Sequence, residues 1–138
     1  MRIRTFDEAD SEVVIGLWER CGLLQPSEDP REIVRRKASW QPELFLVGEE
    51  NGLVIATVMA GYEGNRGWVS KLAVEPECQR KGLGRSIMQE AERRLSAVGC
   101  PKINLQVRVG NEKVIGFYEG LGFVTEPRVS MGKRLTAH

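Results

Sequence analysis

The sequence predicts an α+β fold in which one central mixed β-sheet is flanked by about four helices. Three observations predict it. Strand-like and helical segments alternate in an irregular order, β-α-α-β-β-β-α-β-α-β-β, which is typical of a mixed sheet. Asn51-Gly52 joins two strand-like segments and predicts a two-residue hairpin turn. Gly82 to Val98 has the regular apolar spacing of a long amphipathic helix. At 138 residues, the chain is expected to form a single domain over 1–138.

The first half of the chain begins with a short strand at about 2–6, followed by two helices. The first helix is capped within Asp7–Asp10 and runs to about Cys21, before Gly22. Its apolar stripe comprises Val13, Val14, Leu17, Trp18 and Cys21. Asp29-Pro30 places a capping side chain directly before a proline, which predicts the start of a second helix that ends near Trp40.

The second half of the chain supplies most of the predicted sheet and two more helices. The predicted strands are Leu44–Glu49, Leu53–Ala60, Trp68–Val74, Ile103–Val109, Gly122–Thr125 and Val129–Leu135. The helix from Gly82 to Val98 presents one face, formed by Gly84, Ile87, Met88, Ala91 and Leu95. A shorter helix is expected from Asn111 to Gly120.

Composition excludes several classes of function. A net charge of +1 argues against a nucleic-acid binder that depends on bulk charge, and no apolar run is long enough to cross a membrane. Three widely spaced cysteines favour reduced thiols and a cytoplasmic location. The single histidine is the terminal His138, which argues against a histidine triad or a zinc site. Acid–base chemistry is therefore expected from other side chains or water, with no metal.

The most informative segment joins the strand ending at Val74 to the helix beginning near Gly82. Gly82 and Gly84 lack Cβ atoms, so the backbone there can approach a ligand closely. The first N–H groups of a helix have no intrahelical partner, and the helix dipole adds positive potential. These features are typical of a diphosphate-binding loop, and the cations that surround it are Arg80, Lys81 and Arg85. An ordinary strand-to-helix turn is the alternative, since neither the dinucleotide fingerprint nor the P-loop motif is present.

A second motif lies downstream and changes the balance between these alternatives. Gln79-x-x-Gly82-x-Gly84, preceded by Leu72-Ala73-Val74-x-Pro76, resembles the acetyl-CoA loop of the GNAT superfamily of N-acetyltransferases. The segment from Asn111 to Phe123, which contains Phe117, Tyr118 and Gly122, is similar to that superfamily's second motif. The resemblance extends over nearly the whole chain and includes RimI-type enzymes. It implies the GNAT fold and transfer of an acetyl group from acetyl-CoA to an amine.

The resemblance also implies a role for each matching residue. The pantetheine arm would enter between Trp68–Val74 and Ile103–Val109, pairing with the backbone at Leu72, Ala73 and Val74 as an added strand does. The loop residues Gln79, Arg80, Lys81, Gly82, Leu83, Gly84 and Arg85 would hold the pyrophosphate. The resemblance further assigns Asn111, Phe117 and Tyr118 to the acetyl-CoA site, with Tyr118 protonating the departing thiolate. Asn111 could instead be a plain helix cap, and Tyr118 a core aromatic residue.

The sequence departs from the RimI pattern at the general base. RimI-type enzymes carry a glutamate, which acts as general base, five residues before the matching asparagine. This chain has Gln106 at that position, and an amide cannot accept a proton at neutral pH. Glu63, Glu75 and water are the remaining candidates. The departure keeps a rival interpretation open, a CoA-binding or sensor module without turnover, and a nucleotide-binding protein is a third. The amine acceptor, a homodimer and the role of Cys78 are left undetermined by the sequence.

Overall fold

The computed structural model describes residues 1–136. His138, the single histidine, lies outside the described residues. The chain divides into two compact units, Met1–Leu105 and Gln106–His138, which are described separately. The first unit contains strands β1 (Arg2–Thr5), β2 (Phe45–Glu50), β3 (Leu53–Tyr62), β4 (Gly67–Val74) and β5 (Ile103–Asn104), with helices α1 (Ser11–Arg20), α2 (Pro30–Ser39) and α3 (Leu83–Ala97). The second unit contains α4 (Glu112–Glu119).

The five strands form one mixed sheet in the order β1-β2-β3-β4-β5. The first four strands pair antiparallel with their neighbours, and β4 pairs in parallel with β5. This confirms the predicted α+β class with a mixed sheet and four helices. The β4–β5 ladder holds only two residue pairs, so most of β4 has a neighbouring strand on one side only within residues 1–105.

Local sequence signals explain where the elements begin and turn. The Asp29 carboxylate accepts a hydrogen bond from the Arg31 N–H at 3.0 Å, which caps α2 directly before Pro30. Asn51 and Gly52 have φ values of 52° and 79°, so the hairpin turn uses the left-handed conformation that this residue pair tolerates best. Both predictions are confirmed.

The core lies on both faces of the sheet. Helices α1 and α2 cover one face, where Trp18, Phe45 and Val47 belong to a single buried cluster. Helix α3 packs against β2, β3 and β4, and its buried residues are Ile87, Met88, Ala91 and Leu95. Four of the five residues predicted for this face are therefore buried, which confirms the helical spacing. The rings of Phe6 and Phe45 stack at 4.2 Å beneath α1 and α2.

The predicted strands in the last third of the chain are mostly wrong. Only Ile103 and Asn104 of the predicted strand Ile103–Val109 are in a ladder, and neither Gly122–Thr125 nor Val129–Leu135 forms a strand. A strand requires a neighbour that supplies hydrogen-bond partners, and β-propensity depends strongly on that context. Apolar side chains in this part of the chain are largely exposed: Val124, Val129, Met131 and Leu135.

Candidate functional site

The segment between β4 and α3 has an unusual backbone. A short 3₁₀ turn, Pro76–Cys78, follows β4, and Arg80 then has a φ of 67°, in the left-handed region. Gly82 has a φ of 79° and forms the N-cap of α3. The first helical hydrogen bond runs from the Ser86 N–H to the Gly82 carbonyl at 3.1 Å. The turn requires a residue that tolerates positive φ at position 82, which explains the glycine.

Backbone N–H groups in this segment are available to a ligand. No hydrogen bond joins the N–H groups of residues 80–84 to another group within residues 1–105. The first turn of α3 contains no acidic residue, while Arg80, Lys81 and Arg85 add positive charge. Gln79 is turned back toward the strand, since its Nε2 donates to the Val74 carbonyl at 3.0 Å. The arrangement suits an anion, because the N–H groups and the helix dipole both favour negative charge.

The strand that leads into this segment is bulged and has an open edge. Met59 pairs with Ser70 and Thr57 pairs with Ala73, so two β4 residues, Lys71 and Leu72, lie opposite the single residue Val58. Beyond Trp68, β4 has no neighbour on the β5 side within residues 1–105. An extended ligand could add to this edge as a strand does. The structure therefore places residues 72–74 and 79–85 in sequence along one open edge and the turn that follows it.

The second unit holds the remaining predicted site residues on α4. The Asn111 side chain accepts from the Val114 N–H at 3.4 Å, so it acts as the N-cap. Tyr118 is partly buried, with the rings of Phe117 and Phe123 edge-on at 5.1 and 5.6 Å. Within residues 106–136, the Tyr118 hydroxyl has no hydrogen-bond partner, and burial raises its pKa to about 12. The ring thus packs against two neighbouring aromatic rings, and its burial favours the protonated hydroxyl.

The predicted base candidates are held in structural contacts. Both carboxylate oxygens of Glu75 accept from Arg20, at 2.7 and 2.8 Å. Glu63 accepts from the N–H groups of Asn65 and Arg66, at 3.0 and 2.6 Å, and so closes the turn between β3 and β4. The Gln106 amide donates to the Ser130 hydroxyl.

Several smaller features of the sequence also acquire a structural context. Trp18 is fully buried, whereas Trp40 and Trp68 are 69% and 46% exposed. On α2, the basic residues Arg31 and Arg35 are exposed and pair with Glu12 and Glu32, whereas Lys37 is buried and donates to the Trp40 carbonyl at 3.0 Å. The thiols of Cys21, Cys78 and Cys100 are all free.

Sequence reasoning missed Lys71. Its ammonium lies 3.0 Å from the Leu23 carbonyl and within 3.4 Å of the Glu28 carboxylate. The only signal in the sequence is a charged residue within an otherwise apolar strand, and that pattern does not reveal the bulge.

Comparison with known proteins identifies the family. A family model described as the acetyltransferase (GNAT) family matches residues 12–123. The chain belongs to the GNAT family. An acetyltransferase of Yersinia pestis (strain Pestoides F) is 45% identical to this GNAT protein over 135 residues, which cover 98% of this chain and 96% of the relative. The family match confirms the predicted fold and supports acetyltransferase chemistry.

Solved structures share the GNAT fold. Ard1 from Thermoplasma volcanium has a TM-score of 0.81 at 24% identity, over 89% of this chain and 82% of its own. The ribosomal-protein-S18-alanine N-acetyltransferase from Escherichia coli has a TM-score of 0.74 at 23% identity, over 88% of this chain and 76% of its own. This confirms the resemblance to RimI-type enzymes at the level of fold. No helix within residues 1–136 is both long and apolar enough to span a membrane.

Proposed function

We propose that this GNAT protein transfers the acetyl group of acetyl-CoA directly to an amine, with both substrates bound at once. The observation that carries the proposal is the continuity of two features. The open edge of β4 leads directly into a turn whose N–H groups are unpaired within residues 1–105. Pantetheine amides need an extended backbone partner, and the diphosphate needs clustered donors. The β4 edge would serve the pantetheine arm and the following turn would serve the diphosphate, which is the order of these two groups along CoA.

The binding roles follow from this order. Backbone groups at Leu72, Ala73 and Val74 would pair with the pantetheine arm, and one of their N–H groups would polarise the thioester oxygen. Residues Gln79 to Arg85 would hold the diphosphate. Asn111 and Phe117 would complete the acetyl-CoA site, with Asn111 also capping α4. These assignments rest on the family resemblance together with the local geometry of each unit.

The chemical step would need little from the protein beyond positioning. The amine lone pair attacks the thioester carbonyl carbon, the carbon–sulfur bond breaks, and the thiolate leaves with that electron pair. Tyr118 would donate a hydrogen bond to this sulfur. With a pKa of about 12, against about 8.5 for a thiol, complete proton transfer from the hydroxyl is uphill by about 5 kcal/mol. We therefore propose that Tyr118 stabilises the thiolate as it forms, and that water supplies the final proton and accepts the amine's proton.

Thiol release from acetyl-CoA tests the proposal. The protein would be assayed with a thiol-reactive dye against small amines, amino acids, peptide N-termini and lysine peptides, with acetylated product confirmed by mass spectrometry. Acetyl transfer to at least one amine supports the proposal, whereas its absence across the whole panel contradicts it. Gly82→Val provides the matched variant in which acetyl-CoA binding should be lost.

A second candidate function is a CoA-binding or sensor module without turnover. The replacement of the RimI glutamate by Gln106, whose amide contacts Ser130, favours it, as do the structural contacts of Glu63 and Glu75. Calorimetry distinguishes the two, because tight CoA binding without acetyl transfer to any amine supports the module. Thermal protection by ATP or NAD, with none from CoA, would support a nucleotide-binding protein instead.

We further propose that residues 1–138 act as one domain, because the family match at 12–123 includes parts of both compact units. Three free thiols are consistent with a cytoplasmic location. We propose that the protein needs no metal and has no nucleic-acid or membrane partner. The homodimer that the sequence leaves open can be tested by measuring the mass of the protein in solution by sedimentation.

A further inference from the structure

The bulge of β4 depends on an unusual residue. Lys71 has a φ of 53°, in the left-handed region that side chains other than glycine rarely adopt. Such a conformation persists only when the surrounding contacts hold it in place. The contacts of this residue are therefore informative.

The Lys71 side chain joins the bulge to the segment that connects α1 and α2. Its Nζ atom donates to the Leu23 carbonyl at 3.0 Å and lies 3.4 and 3.3 Å from the two carboxylate oxygens of Glu28. Glu28 also accepts from the Gln25 N–H at 2.8 Å, which closes a turn in the same segment. The ammonium lies 5.9 Å from the centre of the Trp18 ring, and the side chain is only 14% exposed.

The Lys71 backbone is held from within the core. Its carbonyl accepts from the Thr57 hydroxyl at 2.9 Å, and that hydroxyl accepts from Trp18 Nε1 at 3.0 Å. Thr57 and Trp18 are fully buried. Two groups of contacts, one at the ammonium and one at the carbonyl, therefore meet at a single residue.

We propose that Lys71 is a positioning residue that holds the segment from Cys21 to Asp29 against the bulge and keeps the backbone at Leu72 in its reactive orientation. The proposal rests on the proposed function, in which an N–H group near Leu72 polarises the thioester. The diphosphate turn at residues 79–85 shares none of these bonds, whereas Leu72 would also pair with the pantetheine arm. Loss of the ammonium should therefore lower turnover more than it lowers acetyl-CoA affinity.

Lys71→Met tests the proposal, since it keeps a long apolar side chain and removes the ammonium. Hydrogen exchange followed by mass spectrometry would be measured on peptides covering 22–29 and 69–74. Loss of hydrogen bonds to a charged group predicts exchange about 10- to 100-fold faster in 22–29. We expect kcat, measured by thiol release on the best amine of the panel, to fall at least about tenfold by the same reasoning. The calorimetric Kd for acetyl-CoA should rise by a smaller factor, because the diphosphate turn keeps its contacts.

Three further variants make the test specific. Glu28→Gln removes the charge pair but leaves the bond to Leu23, so it should show a smaller effect of the same kind. Lys71→Arg keeps the charge and should restore part of both the protection and the turnover. Lys133→Met makes the same chemical change at an exposed position and should change neither.

The outcomes separate the anchor from the proposed function. Unchanged exchange in 22–29 for both Lys71→Met and Glu28→Gln would overturn the proposal. Faster exchange with wild-type kcat would overturn the positioning role, because the anchor would then be structural alone. If the wild-type protein acetylates no amine, the proposed function fails, while hydrogen exchange still decides whether Lys71 anchors the segment.

Discussion

Gly82→Val is expected to abolish tight acetyl-CoA binding while leaving the protein folded. Gly82 has a φ of 79°, and a Cβ atom added there would meet nothing within 4 Å. The added Cβ atom therefore causes no clash, and the main cost of the substitution is conformational. A residue with a Cβ atom in the left-handed region costs roughly 1–2 kcal/mol, which is small beside the stability of an ordinary domain of about 5–15 kcal/mol.

The effect on binding follows from how the chain relieves this strain. Leaving the left-handed region rotates the peptide units at the start of α3 and moves the N–H groups of residues 82–84. Each hydrogen bond lost to a charged diphosphate is worth about 1.5–3 kcal/mol. The dissociation constant for acetyl-CoA should therefore rise by at least about tenfold for each bond lost.

Gly52→Val is a matched control for this experiment. Gly52 has the same φ of 79° and the same open space around an added Cβ, but it lies in the β2–β3 hairpin turn. Urea unfolding should show comparable destabilisation of both variants, and calorimetry should show weakened acetyl-CoA binding for Gly82→Val alone. Wild-type affinity in Gly82→Val, or equal losses in both variants, would refute the assignment of this turn to the diphosphate.

Three further predictions address the rest of the molecule. Tyr118→Phe should lower turnover by about 10²–10³-fold with little change in acetyl-CoA affinity. The loss of turnover should be smaller for an acyl donor with a more acidic leaving thiol. Unchanged steady-state rates would show that the Tyr118 hydroxyl has only a structural role. The hydrogen bond from the Arg4 guanidinium lowers the pKa of Asp10, so the Asp10 carboxylate stabilises the fold above a pH of about 4 and loses this effect in acid. Asp10→Asn should therefore lower the free energy of unfolding most near pH 7. A difference in that free energy between wild type and variant that stays constant down to pH 3 in urea unfolding would contradict this. Thr57→Val leaves Trp18 Nε1 without its acceptor and should cost about 2–4 kcal/mol, whereas Thr57→Ser, which keeps the hydroxyl, should cost less than half as much by denaturant titration.

The structure adds geometric detail to both sequence motifs, the glycine turn and the segment that contains Tyr118. The glycine turn acquires a positive φ at Gly82, unpaired N–H groups within residues 1–105, and an open strand edge leading to it. Tyr118 acquires a raised pKa and a hydroxyl without a partner within residues 106–136, which favours a hydrogen-bond donor over a full proton donor. The base candidates Glu63 and Glu75 lose support because backbone and arginine contacts already occupy them.

Features that depend on neighbouring residues can be read directly from the sequence. The cap at Asp29, the turn at Asn51-Gly52 and the apolar face of α3 each depend on residues a few positions apart, so their signals are readable along the chain. The glycine turn that we propose for the diphosphate is readable for the same reason, because its glycines and cations are adjacent in sequence. The resemblance then supplied the family, which the family match confirms.

Features that depend on distant partners become visible only in the folded chain. The strand patterns after Asn104 indicate β-propensity, but a ladder forms only where another strand supplies N–H and carbonyl groups, and propensity cannot show whether one is present. The contacts of the Lys71 ammonium likewise join residues 43 or more positions apart, and the Lys71 carbonyl contacts Thr57, 14 positions away. A lysine in a strand is an ambiguous signal until the fold places Glu28, Leu23 and the Thr57 hydroxyl around it, because its energy comes from those contacts and not from its own sequence neighbours.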